Sequence, residues 1–135
     1  MSAPATNTRL RDAALEVMQR AYAPYSGFRV GAALAGADAG LYVGCNVENV
    51  ASGATICAER SAVLAAVAHG VRDFEELVIA TEAVHPTPPC GVCRQVLAEF
   101  NPRLEITSCT TNGVEQHWNL SELLPYPFTP HSLNR

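Results

Sequence analysis

The 135-residue chain, 48% hydrophobic and 16% charged, has an ordinary globular balance and the core of one domain spanning residues 1–135, which excludes a disordered protein. Its net charge is −4, with nine arginines, no lysine and no basic run, which excludes the clustered positive charge of a nucleic-acid surface. No stretch approaches the roughly 20 apolar residues that span a bilayer, and the N-terminus has neither the basic nor the apolar segment of a secretory leader, so a cytoplasmic protein without membrane contact is expected.

Leu10, Ala14, Val17 and Ala21 recur at helical spacing ahead of Pro24, which predicts an amphipathic helix over 8–22. Phe28, Val30, Ala32 and Leu34 alternate, and residues 41–47 repeat the pattern after the turn GADAG, which predicts a hairpin. Residues 57–70 form an alanine-rich helix that stops at Gly70, and the β-forming run 76–81 is a buried strand. Behind the proline-rich loop HPTPP, a helix over 91–100 ends at Asn101-Pro102 and a strand over 104–109 follows. The turn TNG leads into a last strand over 114–118, and 120–125 is a short helical turn. The order α-β-β-α-β-α-β-β, with no repeat and no linker, predicts helices on both faces of one mixed sheet.

Five cysteines in a reducing compartment serve as metal ligands, catalytic groups or small core residues rather than as disulfides. Cys90 and Cys93 form a Cys-x-x-Cys pair, which alone fits metal binding, a redox couple or coincidence. The pair comes late and behind prolines, unlike a thioredoxin-type couple, and no second close pair exists to complete a four-cysteine site. Three protein ligands with one open position are the arrangement of a catalytic zinc. If a cysteine supplies the third ligand, Cys45 and Cys109 lie inside predicted strands as small core residues, whereas Cys57 opens a helix as Cys90 and Cys93 do. A helix start favours a thiolate through its dipole and unpaired N–H groups. Two residues on, Glu59 either complements the helix dipole or, beside a metal that activates water, removes and redelivers protons.

Cys-x-Glu followed by Pro-Cys-x-x-Cys is the all-cysteine form of the zinc deaminase signature. Together with AYAPYSGFRVGAAL, GCNVEN, TICAERSA, PPCGVCRQVLAEF and ELLPYPF, it makes nearly the whole chain resemble the small, homotetrameric class of cytidine deaminases. The resemblance implies a three-layer α/β/α cytidine deaminase-like fold with a mixed five-stranded sheet. It implies one zinc ion per chain on Cys57, Cys90 and Cys93, Glu59 as the catalytic proton carrier, and a homotetramer with shared active sites. The implied reaction is hydrolytic deamination of cytidine and 2'-deoxycytidine in pyrimidine salvage.

Three thiolates give a zinc site net charge −1, which makes water beside it harder to ionise than at a three-histidine site. A guanidinium hydrogen-bonded to sulfur offsets that charge, and the resemblance assigns this role to Arg60. Arg94 fits the same role or a surface salt bridge equally well. Asn46 and Glu48 lie two apart on a predicted strand and so share a face, as a polar strand end or, as the resemblance implies, as contacts to the ribose of a nucleoside. Phe28 suits core packing or, by resemblance, the wall facing the pyrimidine ring. Phe128 resembles the aromatic that reaches a neighbouring subunit's active site. The chain departs from the family where Ser52 replaces a tyrosine and where Tyr126-Pro127 makes the tail bulkier. Deamination of a cytosine-containing antibiotic of the blasticidin type, and a binding module that zinc merely stabilises, are the competing functions.

Overall fold

The computed structural model describes residues 7–133, so the leader-free reading of the N-terminus falls largely on residues outside those described. Helix α1 (Thr8–Met18) starts where the Asn7 side chain accepts the N–H groups of Arg9 and Leu10 at 3.0 and 3.4 Å. It ends four residues earlier than its periodicity predicts. Tyr22 is drawn instead into a bridge, its N–H donating to the Asn46 carbonyl at 2.9 Å and its carbonyl accepting from Glu48 at 2.8 Å. Pro24 bars the helix from resuming at Ala23.

Strands β1 (Val30–Gly36) and β2 (Leu41–Cys45) form the hairpin, with the Asp38 carboxylate accepting from Gly40 N–H and the Tyr42 hydroxyl in the turn. Both strands are shorter at the open end than alternation predicts. There the Asn46 side chain takes over as a backbone surrogate, accepting from Val30 N–H at 2.9 Å and donating to the Phe28 carbonyl at 2.8 Å. Helix α2 (Ala58–Ala68), strand β3 (Phe74–Thr81), helix α3 (Gly91–Phe100), strands β4 (Glu105–Thr110) and β5 (Glu115–Asn119), and the short helix α4 (Leu120–Leu123) follow. Their boundaries lie within two residues of expectation. Two 3-10 turns, at Ser52–Ala54 and Pro130–Leu133, were not anticipated.

The sheet order is β2-β1-β3-β4-β5, with β3 and β4 parallel and every other pair antiparallel. On one face Leu10, Ala14 and Met18 of α1 pack against Ala33, Val78 and Ala80. On the other, Ala62, Val63 and Ala66 of α2 and Leu97 of α3 pack against Leu34, Leu77, Ile79 and Ile106. The alternation along β3 therefore feeds two cores, which is why it reads as a continuous apolar run. The result is the expected three-layer α/β/α arrangement around a mixed five-stranded sheet.

Two glycines set how closely the helices approach. A Cβ on Gly31 would lie 2.0 Å from the Ala14 carbonyl oxygen, and one on Gly44 would lie 2.4 Å from Ala62 N and 2.7 Å from the Ala58 carbonyl oxygen. The first two turns of α2 thus rest on the bare backbone of β2, which fixes the height of the residues at its start. No helix among the described residues is long and apolar enough to cross a membrane.

Candidate active site

Cys57 is the N-cap of α2, Cys90 the N-cap of α3, and Cys93 the third residue of α3. Neither N-cap thiol makes a capping hydrogen bond, which leaves both sulfurs free to face each other where the two helix starts converge. Cys57 and Cys90 Sγ are 3.8 Å apart, and all three sulfurs lie within 4.8 Å of one another. A tetrahedral zinc with Zn–S bonds of about 2.3 Å requires sulfurs about 3.8 Å apart, so the donor set and its spacing fit the metal. Among the described residues no other histidine, cysteine or carboxylate joins the group, so these three sulfurs are the donors that would hold a metal. Cys109 is buried in the core beneath α1, its thiol pushed up to about 11 by that burial, and Cys45 ends β2 apart from the group.

The Cys57 thiol is lowered to about 5, chiefly by its hydrogen bond with Cys93 and further by Arg60, while the same contact and burial push Cys93 up. A divalent cation held by the three sulfurs would favour their thiolate forms. The Arg60 Nη2 donates to Cys57 Sγ and to the Thr55 carbonyl, both at 3.3 Å. Its Nε is buried and finds no hydrogen-bond partner among the described residues. Arg94 takes neither expected role. It donates to the carbonyls of Pro89 at 2.8 Å and Leu123 at 3.0 Å, because its position on α3 carries it away from the sulfurs toward the tail.

Glu59, on the first turn of α2, is only 5% exposed. Burial raises its carboxyl to about 7; a backbone N–H acts against that shift, and negative charge on Cys57 adds to it. A carboxyl in that range can both take up and release a proton near neutrality. Glu59, Cys57 and Cys90 share a cavity of 190 Å³ with Phe28 and Asn46. Val30, Ile79 and Pro88 supply apolar wall, while Thr55 and Thr87 add hydroxyls.

Asn46 and Glu48 do not share a strand face, because β2 ends at Cys45. Asn46 is buried at the cavity and braces Phe28 and Val30. The Glu48 carboxylate accepts from the N–H groups of Tyr25 and Ser26 at 2.9 and 3.1 Å and from the Ser26 hydroxyl. The Ser26 hydroxyl bond is the main cause holding that carboxyl below its ordinary range. Ser26 Oγ in turn accepts from Phe28 N–H at 3.0 Å, so Glu48 steadies the turn that carries Phe28. Phe128 stands outside this cavity on the tail beside α3 and is 61% exposed. Ser52 begins an exposed 3-10 turn.

Sequence reasoning missed Thr55 and the Thr87-Pro88 wall. Thr87 N–H donates to Ser108 Oγ at 2.9 Å, and its hydroxyl lies 3.5 Å from that of Thr81. The available signal was Thr81 and Ser108 themselves, polar residues fully buried in β3 and β4, which need partners.

The profile of the cytidine and deoxycytidylate deaminase zinc-binding region matches residues 4–109. A cytidine deaminase from Sporosarcina psychrophila is 43% identical over 117 residues, covering 86% of each chain. One from Halalkalibacterium halodurans is 41% identical over 122 residues, covering 90% of this chain and 92% of its own. The crystal structure of cytidine deaminase from Burkholderia pseudomallei superposes with a TM-score of 0.87 at 41% identity, covering 92% of this chain and 100% of that one. With the three clustered cysteines, the buried Glu59 and the sheet order in place, these matches over most of the chain establish that it belongs to the cytidine and deoxycytidylate deaminase family.

Proposed function

We propose that this chain, acting as one domain over residues 1–135, catalyses the zinc-dependent hydrolytic deamination of cytidine and 2'-deoxycytidine to uridine and 2'-deoxyuridine, releasing ammonia. The observation that carries this reading is a buried carboxylate, Glu59, in one cavity with two of three convergent thiols and with room for a small flat ring. A metal that served only to hold the fold would need neither an open position nor a carboxyl in the wall.

Cys57, Cys90 and Cys93 would hold one zinc ion per chain, and when bound it supplies an activated water for attack at C4. Phe28 lies against the pyrimidine ring and excludes solvent from that face. Asn46 and Glu48 orient the ribose. Glu59 takes a proton from the attacking water and delivers it to N3, then carries the second to the exocyclic amine, which leaves as ammonia. Arg60 draws charge from Cys57 sulfur, which offsets the cost of three thiolates on one dication.

The enzyme works in pyrimidine salvage in the cytoplasm, as a homotetramer in which Phe128 completes a neighbouring subunit's site. Two observations support the assembly. The cavity of 190 Å³ is smaller than the roughly 300–1,000 Å³ of a complete small-molecule site. Leu64 and Val67 on the outer face of α2, and Tyr126 and Phe128 on the tail, are large apolar side chains left exposed on one chain.

The substrate is a free nucleoside rather than a nucleotide. Glu48 beside the sugar repels a phosphate, and no lysine is available to hold one. At the effective dielectric of a protein surface one such repulsion lowers kcat/KM for CMP by at least about tenfold relative to cytidine. Equal efficiencies for cytidine and CMP would overturn this assignment.

A further inference from the structure

The Cys90–Cys93 motif runs on into Arg94 and Gln95, and both residues reach for the C-terminal tail rather than the metal site. Arg94 joins the Pro89 carbonyl, just before the ligand Cys90, to the Leu123 carbonyl at the end of α4. Gln95 donates its Nε2 to the Phe128 carbonyl at 2.8 Å and accepts from Phe128 N–H through Oε1 at 3.1 Å. One side chain thus satisfies both backbone groups of Phe128, a task that needs a donor and an acceptor on the same planar group and so a carboxamide. Among the described residues these are the only hydrogen bonds that tie residues 125–128 to the body of the chain. Pro125 and Pro127 have no N–H to add another, and their fixed φ leaves the span between the two anchors few alternatives. With its backbone held, Phe128 keeps its ring outside its own chain's cavity.

We propose that Gln95 is a positioning residue that sets where Phe128 is presented to a second copy of this chain. The inference rests on the reading that Phe128 completes a neighbouring site, and it adds that α3, which carries Cys93, also carries the clamp for that aromatic. Gln95→Glu is nearly isosteric, loses the donor to the Phe128 carbonyl and sets oxygen against oxygen. Loss of one well-placed aromatic contact should raise KM for cytidine about tenfold, with kcat little changed because such a contact binds ground and transition states alike. Zinc stoichiometry should match wild type.

The test is a double-mutant cycle with Phe128→Ala. If Gln95 acts through Phe128, the double variant should match Phe128→Ala within about twofold, the usual error of additivity. A multiplied effect, an unchanged KM in Gln95→Glu, or loss of zinc in that variant would overturn the proposal. Light scattering across a dilution series gives the same cycle without turnover: each single variant should shift dissociation to higher protein concentration and the double variant no further, whereas additive shifts would contradict it. Absence of turnover in the wild type would instead strike the deaminase reading and leave this second readout decisive for Gln95.

Discussion

Replacing Glu59 by Gln should lower kcat for cytidine by about ten-thousandfold or more while zinc stays bound. Glu59 is not one of the three clustered thiols, and the amide keeps its volume and shape. A purely electrostatic residue on the first turn of a helix contributes only about 0.3 to 1 kcal/mol through the dipole, so in that role Glu59→Gln would be slightly less stable and otherwise ordinary. Burial has already drawn the Glu59 carboxyl toward its neutral form, which lessens the electrostatic loss further. The catalytic role is another matter. One acid–base group is typically worth about a hundredfold to ten-thousandfold, and a group that moves both protons belongs at or beyond the upper end, about 5.5 kcal/mol of barrier. A zinc-replete Glu59→Gln protein within about tenfold of wild type, far short of that range, would defeat the assignment.

Cys57→Ser should empty the metal site, whereas Cys45→Ser and Cys109→Ser should each retain one zinc per chain. A serine hydroxyl at a helix start is a poor substitute for a thiolate, and only two sulfurs would remain to hold the ion. Cys109→Ser places a hydroxyl in the apolar core under α1 and should cost about 1 to 3 kcal/mol in stability if that hydroxyl is left unpaired. Metal analysis after dialysis separates that cost from ligand loss. If Cys45→Ser or Cys109→Ser emptied the site and Cys57→Ser did not, the ligand set would be wrong.

The three sulfurs were legible in the sequence because metal chemistry restricts both their number and their surroundings. A catalytic zinc leaves one corner open, so the Cys90–Cys93 pair had to find a partner, and a helix start distinguishes Cys57 from two strand cysteines. The elements themselves were legible wherever local pattern and tertiary context agree, as in α3 and β3. They were not where a distant segment recruits backbone groups. Nothing local in residues 19–22 announces that Tyr22 will bridge to residues 46–48, and nothing in GCNVEN says that the Asn46 amide will replace a ladder rung for Phe28 and Val30. Glu48 was placed on a strand face by the period of two, but its carboxylate is claimed by the turn at Tyr25 and Ser26. Arg94 and Gln95 were hidden for the same reason, since their partners Leu123 and Phe128 lie 29 and 33 residues further on.

Deamination is tested most directly by following product rather than binding: purified protein carrying one zinc per chain is given cytidine, and uridine and ammonia are measured together. One uridine and one ammonia should form for each cytidine consumed, with turnover lost on removing zinc and restored on returning it. A zinc-replete protein that binds cytidine and forms no uridine would contradict the deaminase assignment.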